Sequence, residues 1–332
     1  NMKNGNLFLI YLGRSGSIPK FVLDFSKAII VDQRIEKFEL LISEQNLLKQ
    51  ELVNLKNDTQ ILDTPVSNKE SLTKIFGFIS RFIKALRIAK KNKIKKFLFP
   101  MTHIWNPLAM ILIKIFIPKS EIYYISHDAV IHPGEKNAKL QYQIMQIEIA
   151  LSNKIITLTQ NVKEIISKKW KAKEIIVLEH PAYDFGKVEK TRELSSVPTF
   201  LFFGRIVEYK GLDLFVNAIN IFKEKVKNFK VIIAGSGEIK KETLEKITKI
   251  NNIELINRYI DEKEIPEIWD KSDICVLPYT EASQSGVIAI AVNKAMPCII
   301  MPVSGLVEQC EIKDLETTFA IMSENITPES FA

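Results

Sequence analysis

The sequence predicts an α/β protein made of two halves of similar size. Short apolar runs alternate with stretches of helical periodicity along nearly the whole chain, which is the pattern of strands and helices in α/β folds. The length of 332 residues suits about two domains. A polar stretch over 186–198 has no strong periodicity and is the best candidate for a linker. We therefore predict one domain over 1–185 and a second over 199–332.

Apolar runs and amphipathic stretches predict the individual elements. In the first half, strands are predicted at 7–12, 38–43, 60–62, 96–99, 121–126 and 154–158, with helices at 18–30, 69–91, 139–151 and 162–169. In the second half, strands are predicted at 200–203, 230–234, 253–256, 274–277 and 298–301, with helices between them, one of them at 287–292. Apolar residues in succession are typical of parallel strands that are buried on both faces.

The composition narrows the class of protein. The sequence has three cysteines, Cys275, Cys298 and Cys310, which lie in no CxxC or Cys/His array. Neither a zinc site nor a disulfide framework is therefore indicated, and a reducing cytoplasm is expected. No secretory signal is recognised at the start of the sequence. The longest apolar run, 107–117, contains Lys114 and falls well below the ~20 residues of a membrane span.

The net charge of +7 is concentrated in one cluster. Eight basic residues and no acid lie between positions 81 and 96: Arg81, Lys84, Arg87, Lys90, Lys91, Lys93, Lys95 and Lys96. Such a run of charges more often forms a solvated helix face. The more specific alternative is a surface that docks on an anionic membrane. In the second case Phe82, Leu86 and Ile88 are expected to dip into the interface. Nucleic-acid binding is not indicated, because no recognisable nucleic-acid module accompanies the charge.

One stretch of the second half combines a strand, a glycine and two cations. The apolar run 200–203 ends at Gly204, and Arg205 and Lys210 follow before an amphipathic segment begins at Gly211. Ligands of open α/β sheets bind at the carboxyl ends of strands. Two positive side chains at such an end match a diphosphate, although a loop with two solvated charges has the same sequence pattern.

Two further strand ends of the second half carry residues suited to an anion. Gly235-Ser236-Gly237 follows the strand 230–234, and a segment with hydroxyls and a glycine, 278–287, follows the strand 274–277 and opens a helix. Backbone N–H groups at a helix start are available to an anion unless the turn is only a cap. Glu308, after the strand 298–301, is a carboxylate that can accept hydrogen bonds from ribose hydroxyls.

The first half offers two candidate loops. Gly13-Arg14-Ser15-Gly16 after the first strand resembles a phosphate-binding loop without being GxGxxG, and an ordinary turn is the alternative. His127 and Asp128 follow the strand 121–126, with His132 close behind. His127 is either a satisfied loop residue or a neutral donor to a substrate hydroxyl, held by a carboxylate. No third partner indicates a metal site or a nucleophilic triad.

These motifs together resemble the nucleotide-sugar domain of family 4 (group 1) glycosyltransferases. The resemblance covers about residues 199–310 and is specific only as a set. The carrying motifs are Phe203-Gly204-Arg205-Ile206-Val207-Glu208-Tyr209-Lys210-Gly211, Ile233-Ala234-Gly235-Ser236-Gly237, Leu277-Pro278-Tyr279, Ser283-Gln284-Ser285-Gly286-Val287 and Val303-Ser304-Gly305-Leu306-Val307-Glu308. The first half matches more loosely, through the loop 13–16 and the position of His127.

The resemblance implies a GT-B fold, in which two Rossmann-like domains face each other across a cleft. It implies that Arg205 and Lys210 hold the donor diphosphate and that His127 lies near the transferred sugar. The other residues implied or expected at the donor are Gly13, Gly16, Glu208, Gly235, Glu281, Ser283, Ser285, Gly286, Val287 and Glu308.

The sequence departs from the family pattern at three points. Family members commonly have two glutamates with seven residues between them; Glu281 can stand for the first, but Ala289 and Ile290 occupy the region of the second. The glycine usual before the proline is also replaced, in Asn293-Lys294-Ala295-Met296-Pro297. Many relatives continue past the position of Pro328 with a helix that crosses back to the first domain, and this chain is expected to lack part of that closure.

The expected function is that of a retaining glycosyltransferase. It would move a sugar from a nucleotide-diphosphate donor to a glycan or lipid-linked acceptor in surface polysaccharide biosynthesis, without metal and without nucleic acid. We expect it in the cytoplasm, peripheral at the inner face of the cytoplasmic membrane. A non-catalytic nucleotide-sugar or glycan-binding protein and a GT-B nucleotide-sugar epimerase are the alternatives.

Overall fold

The chain folds into two compact units, each with its own parallel sheet. The computed structural model describes residues 5–14, 18–64, 71–130, 137–178, 195–312 and 320–332. The first unit comprises 1–130 and 137–178, and the second comprises 131–136 and 179–332. Most of the predicted linker lies outside the described residues, so the predicted domain boundaries stay predictions.

The first unit has a seven-stranded sheet in the order β3-β2-β1-β4-β5-β6-β7, with every described pair parallel. Its strands are β1 (Leu7–Tyr11), β2 (Phe38–Ser43), β3 (Gln60–Leu62), β4 (Lys96–Phe99), β5 (Glu121–Ser126), β6 (Lys154–Thr157) and β7 (Glu174–Val177). The helices between them are α1 (Ile18–Val31), α2 (Lys49–Leu55), α3 (Ser71–Lys91), α4 (Asn106–Phe116), α5 (Ala138–Leu151) and α6 (Gln160–Lys169). This is the doubly wound arrangement, in which right-handed crossovers place α1 and α4 on opposite faces of the sheet.

The larger core of the first unit lies between the sheet and helices α3 to α6. Alternate residues of β1 and β4 join one buried cluster with side chains of α3 and α4: Phe8, Ile10, Phe97, Phe99, Phe82, Leu86, Met110 and Ile113. Phe82 and Leu86 are fully buried, at 0% and 1% exposure. The expectation that these two side chains reach a membrane is therefore wrong, because they are the core-facing positions of an amphipathic helix.

The second unit has a six-stranded parallel sheet in the order β10-β9-β8-β11-β12-β13. Its strands are β8 (Thr199–Phe203), β9 (Lys230–Ala234), β10 (Ile253–Ile256), β11 (Ile274–Leu277), β12 (Cys298–Ile300) and β13 (Ala320–Met322). Its helices are α7 (Leu212–Lys225), α8 (Lys241–Thr248), α9 (Ile265–Asp270), α10 (Gly286–Asn293), α11 (Ser304–Ile312) and α12 (Pro328–Phe331), with a 3-10 turn at Glu208–Lys210. Phe202, Val231 and Ile233 pack with the apolar face of α7 in its core.

The α/β fold class and the predicted strands are confirmed, with ends that differ by a residue. β7 and β13 were not predicted. Both are short edge strands: β7 is only half-buried, and β13 exposes Ile321 and Met322, so neither has the burial of a central strand. None of the described helices combines the length and the hydropathy that a membrane-spanning segment needs.

Helix α10 ends in a left-handed residue that is not glycine. Ala295 has φ of 47°. Its N–H donates to Val292 O, and the N–H of Met296 donates to Ala291 O, which together form a Schellman motif. The position is the one at which the sequence lacks the usual glycine, and a Cβ in this conformation is strained.

Ala295→Gly is expected to raise the free energy of unfolding by about 0.5–1 kcal/mol, because it removes this strain while keeping both hydrogen bonds. Chemical denaturation of wild type and variant measures the difference. The control is Ala150→Gly on the exposed side of α5, where the same substitution should lower stability by up to about 1 kcal/mol. A loss of stability at both positions would contradict the assignment of strain to Ala295.

A buried carboxyl ties α5 to the loop that follows β4. Glu148 Oε1 accepts hydrogen bonds from the N–H of His103 at 2.9 Å and from Asn106 Nδ2 at 2.7 Å. Asn106 Nδ2 also donates to the carbonyl oxygen of Met101. Burial raises the pKa of Glu148 to about 8, although these hydrogen bonds act in the opposite direction. The carboxyl is therefore mostly protonated at pH 7.

The pKa of Glu148 predicts a pH dependence of stability. The folded-state value lies above the ordinary value of 4.5, so the contribution to stability is complete below pH 4.5 and is lost as the pH rises through 8. Glu148→Gln keeps the acceptor and does not titrate. The free energy of unfolding of wild type should therefore fall more steeply than that of Glu148→Gln between about pH 5 and pH 8. Parallel pH profiles from urea denaturation would contradict the raised pKa.

Candidate functional site

The carboxyl ends of β8 and β11 flank a topological switch point in the second sheet. β8 pairs with β9 on one side and with β11 on the other. The chain continues from β8 to β9 in one direction across the sheet and from β11 to β12 in the other. Open α/β sheets bind ligands in the crevice at such a point. The loops that follow β8, β9 and β11 hold most of the predicted donor residues of the second half.

Glycines let these loops approach one another closely. A Cβ placed on Gly235 would lie 1.8 Å from the carbonyl oxygen of Gly204. Gly211 has φ of 70°, and a Cβ there would lie 1.9 Å from the carbonyl oxygen of Pro278. The loop after β8 is thus in backbone contact with the loops after both neighbouring strands, and only glycine fits at the two contact positions.

Lys210 is linked to the loop after β11 through Tyr279. Lys210 Nζ donates a 2.7 Å hydrogen bond to the Tyr279 hydroxyl and lies 4.2 Å from the centroid of its ring. Ser285 Oγ lies 3.5 Å from the same hydroxyl. Burial raises the pKa of Tyr279 well above its ordinary value, so the hydroxyl stays neutral and accepts the lysine hydrogen.

The predicted cations differ in exposure. Arg205 is exposed, and its Nη2 donates to the Tyr209 hydroxyl at 3.4 Å. Lys210 is half-buried, whereas two cations in a loop at a strand end are both expected to be exposed without ligand. The reason is its hydrogen bond to a fully buried tyrosine, which orients the ammonium group. Glu208 is exposed in the 3-10 turn between the two cations.

Ser285 caps helix α10 and is itself held by α11. Its hydroxyl accepts from the N–H of Val287 at 3.2 Å. The buried Gln309 side chain accepts from the Ser285 N–H at 2.6 Å and donates to the Ser285 carbonyl at 3.2 Å. The N–H of Ser285, expected to be a donor to an anion, is therefore used inside the protein. Gly286, at the first turn of the helix, remains a candidate donor.

The remaining predicted donor residues lie on the same loops. Ser283 is buried, Glu281 is exposed, and Glu308 is half-buried on α11. A Cβ on Gly305 would meet the backbone of Ala282 and Ser283 at 2.3–2.6 Å, so the start of α11 packs directly on this loop. Glu281 and Glu308 therefore belong to adjoining segments of one unit.

His127 lies at the carboxyl edge of the first sheet, after β5. Its Nε2 lies 2.8 Å from the carbonyl oxygen of Pro100, which only accepts, so Nε2 carries the hydrogen. Burial lowers the pKa of His127, with the Pro100 hydrogen bond and Asp128 acting in the opposite direction. The ring is neutral, its one hydrogen is used, and its buried Nδ1 has no partner among the described residues.

This geometry corrects the expectation that His127 donates to a substrate hydroxyl. A neutral ring with hydrogen on Nε2 presents a lone pair at Nδ1, which accepts a hydrogen bond. Asp128 adjoins the histidine, but the carbonyl oxygen of Pro100 is the group that fixes the ring nitrogen. The fallback candidate His132 lies outside the described residues.

The loop after β1 is described only in part. Gly13 packs against Tyr11, whose ring would lie 2.6 Å from a Cβ at that position. Arg14 donates from Nη2 to the carbonyl oxygen of Thr64 at 2.6 Å. Gly16 lies outside the described residues.

Two site residues were missed by the sequence reasoning. The sequence indicates Tyr279 only as part of a motif and does not indicate Gln309. An aromatic residue directly after a strand-end proline was a signal for Tyr279. Gln309 carried none, because its two bonds to Ser285 cross 24 positions of sequence.

Comparisons with known proteins find similar glycosyltransferases. Residues 197–332 match the family described as Glycosyl transferases group 1. An uncharacterized glycosyltransferase of Haemophilus influenzae is 26% identical over 181 residues, which are 54% of this chain and 50% of the relative. The chain thus spans about half the length of the curated relative it matches.

Solved structures match over nearly the whole chain. The crystal structure of a glycosyltransferase from Rickettsia africae has a TM-score of 0.67 at 17% identity and covers 99% of this chain and 86% of its own. UDP-GlcNAc 2-epimerase from Neisseria meningitidis, solved bound to UDP-GlcNAc, has a TM-score of 0.60 at 13% identity and covers 98% and 89%. At these identities the likeness concerns the fold. Residues 197–332 therefore resemble a group 1 glycosyl transferase domain, and the chain resembles GT-B structures in its fold.

Proposed function

We propose that this protein is a retaining family 4 glycosyltransferase that uses a nucleotide-diphosphate sugar as donor. The observation that carries the proposal is the linked set Lys210, Tyr279 and Ser285 at the switch point of the second sheet. It brings an oriented ammonium group to the start of α10, and the exposed Arg205 belongs to the same loop as Lys210. Two cations and a helix start are what a bound diphosphate requires.

The proposed chemistry is the transfer of the sugar from phosphate oxygen to an acceptor hydroxyl. The bond between the anomeric carbon and the β-phosphate oxygen breaks, and the diphosphate leaves with the electron pair. A bond forms between the anomeric carbon and the acceptor oxygen, whose proton is released. Arg205, Lys210 and the N–H of Gly286 stabilise the charge that develops on the β-phosphate. We place no metal in this scheme, since these groups supply the positive field.

The other residues proposed to bind the sugar donor position it and take no part in the bond changes. Gly235 lets the loop after β9 pack against the loop after β8, and Glu308 accepts from ribose hydroxyls. Ser283 and Val287 shape the loop that receives the diphosphate, and Glu281 lies exposed at its edge.

The epimerase alternative is favoured by one specific finding, the fold likeness to an enzyme solved with UDP-GlcNAc. The match of 197–332 to a group 1 glycosyl transferase family weighs against it. Incubation with a panel of nucleotide sugars and a glycan acceptor separates the candidates. A new glycan indicates transfer, an epimerised donor indicates the alternative, and binding without turnover indicates a non-catalytic protein.

We also propose that the acceptor is a glycan or lipid-linked, in surface polysaccharide biosynthesis, and that the enzyme is peripheral at the inner face of the cytoplasmic membrane. The support is the basic cluster 81–96, whose cations, all but the half-buried Lys96, are exposed on α3 and the loop after it. Ile88 is exposed among them. Each cation near an anionic surface contributes ~1 kcal/mol within a Debye length.

Arg205→Ala and Lys210→Ala are each expected to lower the rate of transfer by at least ~10²-fold, because each removes a cation that stabilises the leaving diphosphate. Initial rates with saturating acceptor measure the loss. Lys225→Ala is the control, because this exposed lysine lies at the far end of α7, about 20 Å along the helix. Wild-type rates for both site variants, with binding of a nucleoside diphosphate unchanged, would rule out the proposed diphosphate site.

His127→Ala is expected to reduce turnover more than it weakens binding of the free nucleoside diphosphate. The reason is that Nδ1 is proposed to accept from a hydroxyl of the transferred sugar, which the free diphosphate lacks. Turnover assays and calorimetry with the diphosphate measure the two effects. His103→Ala is the control, because it removes another histidine from the carboxyl edge of the first sheet. The opposite pattern, weaker diphosphate binding with normal turnover, would remove His127 from the sugar site.

A further inference from the structure

Helix α4 and the residue before its first turn carry an apolar stripe that the rest of the described chain does not cover. Ile104, Ile111 and Ile115 are 53%, 43% and 63% exposed, and Leu108 between them is half-buried. The spacing of three and four residues places Leu108, Ile111 and Ile115 on one side of the helix, where Leu108 also packs in part against the core. Ile104 lies in the turn before the helix. The opposite side, with Ala109, Met110 and Ile113, belongs to the core. The stripe is thus a second apolar face on a helix whose core-facing side is already packed.

The charges around the stripe are almost all positive. Lys114 is the one ionisable residue of α4. The neighbouring helix α3 exposes Arg81, Lys84 and Arg87, together with the apolar Phe76 and Ile88. Isoleucine side chains exposed between cations are unusual on a surface that only faces water.

A hollow of about 820 Å³ continues the basic surface at the end of α4. It lies at the amino edge of the first sheet, opposite to the edge that carries His127. Its walls contain five lysines, Lys90, Lys93, Lys95, Lys96 and Lys119, and two glutamates. The apolar end of α4 also lines it, with Phe116 and Ile117. The excess of cations suits the phosphate groups of lipids at its rim.

We propose that α4 lies in the interface of an anionic membrane, with the exposed Ile104, Ile111 and Ile115 among the acyl chains and the lysines of the hollow on lipid phosphates. Charge complementarity selects this occupant. A second copy of this chain would bring like-charged surfaces together, which costs association energy. Single-stranded RNA is recognised by stacking on aromatic rings, whereas the stripe is aliphatic.

The docked helix sets an orientation for the first unit. In a β-α-β crossover α4 runs from the carboxyl edge of the sheet to its amino edge, over about 16 Å. Ile104 directly follows His103 in the loop after β4, the loop that His127 contacts through Pro100. With Ile104 at one end of the docked helix and the hollow at the other, both edges of the first sheet reach the membrane surface, and the carboxyl edge is the one that faces a lipid-linked acceptor. Only this consequence depends on the proposed function.

The test is flotation with vesicles of phosphatidylcholine, with and without phosphatidylglycerol, at low and high salt. Wild type should float with the anionic vesicles at low salt and stay behind with the neutral ones. Ile111→Ser/Ile115→Ser should lower partition by at least ~10-fold. Lys90, Lys91, Lys93 and Lys95 changed together to glutamine should do the same. Ile30→Ser/Val31→Ser is the control, because it removes similarly exposed residues, 45% and 77%, from α1 on the other face of the sheet.

A second readout places the helix directly. Ile115→Trp should show emission quenched by brominated acyl chains, whereas Ile321→Trp, at a site of similar exposure on β13, should not. Thermal melts and binding of a nucleoside diphosphate confirm that each variant is folded. These readouts need no turnover, so a chain without transferase activity would still float, and an active enzyme that fails to float refutes only the membrane proposal.

Three outcomes would overturn the inference. Equal flotation of wild type and the serine double variant would show that α4 does not enter the membrane and that the contact is purely electrostatic. A dimer in light scattering that the serine variant dissociates would assign the stripe to a second copy. Binding of a single-stranded RNA that the glutamine variant abolishes, without vesicle binding, would assign the cations to nucleic acid.

Discussion

The second unit depends on one polar connection across the switch point of its sheet. Lys210 after β8, Tyr279 after β11 and Ser285 at the start of α10 share a buried phenol hydroxyl. An ammonium group without a partner at a half-buried position would lose solvation, and the neutral hydroxyl restores one hydrogen bond without removing the charge. The lysine is therefore held in place while still positive. The glycine at position 211 follows from this, since its backbone must touch that of Pro278 for the connection to form.

In the first unit, the loop that follows β4 is held by hydrogen bonds from two other elements. The segment after β4 gives the carbonyl of Pro100 to His127 and the N–H of His103 to Glu148. Burial keeps the histidine neutral and the glutamate mostly protonated, so neither bond places an unpaired charge in the interior. A loop held in this way presents the same atoms whether or not a ligand is bound, which lowers the entropy cost of binding.

An apolar residue in the basic segment of the first unit can be either a core residue or an exposed one, and the structure distinguishes the two cases. Phe82 and Leu86 lie among the cations of α3 in sequence, yet they are core residues of the sheet-facing side. Helix α3 does expose Phe76 and Ile88, but a stripe of exposed isoleucines lies on the neighbouring helix α4, which the charge pattern alone did not single out. The reason is that a cluster of charges identifies a helix, whereas exposure depends on which side of each helix the sheet covers.

The sequence by itself determined the α/β class, most of the strands and the strand ends that carry Arg205, Lys210 and His127. Periodicity and strand-end glycines are local properties, and parallel sheets bring strand ends to one edge whatever their separation in the chain. The tertiary structure alone decided which polar atoms are already used. The N–H of Ser285 pairs with Gln309, 24 positions away, and the ring hydrogen of His127 pairs with Pro100, 27 positions away. Such partners are set by packing between elements, which no local pattern encodes.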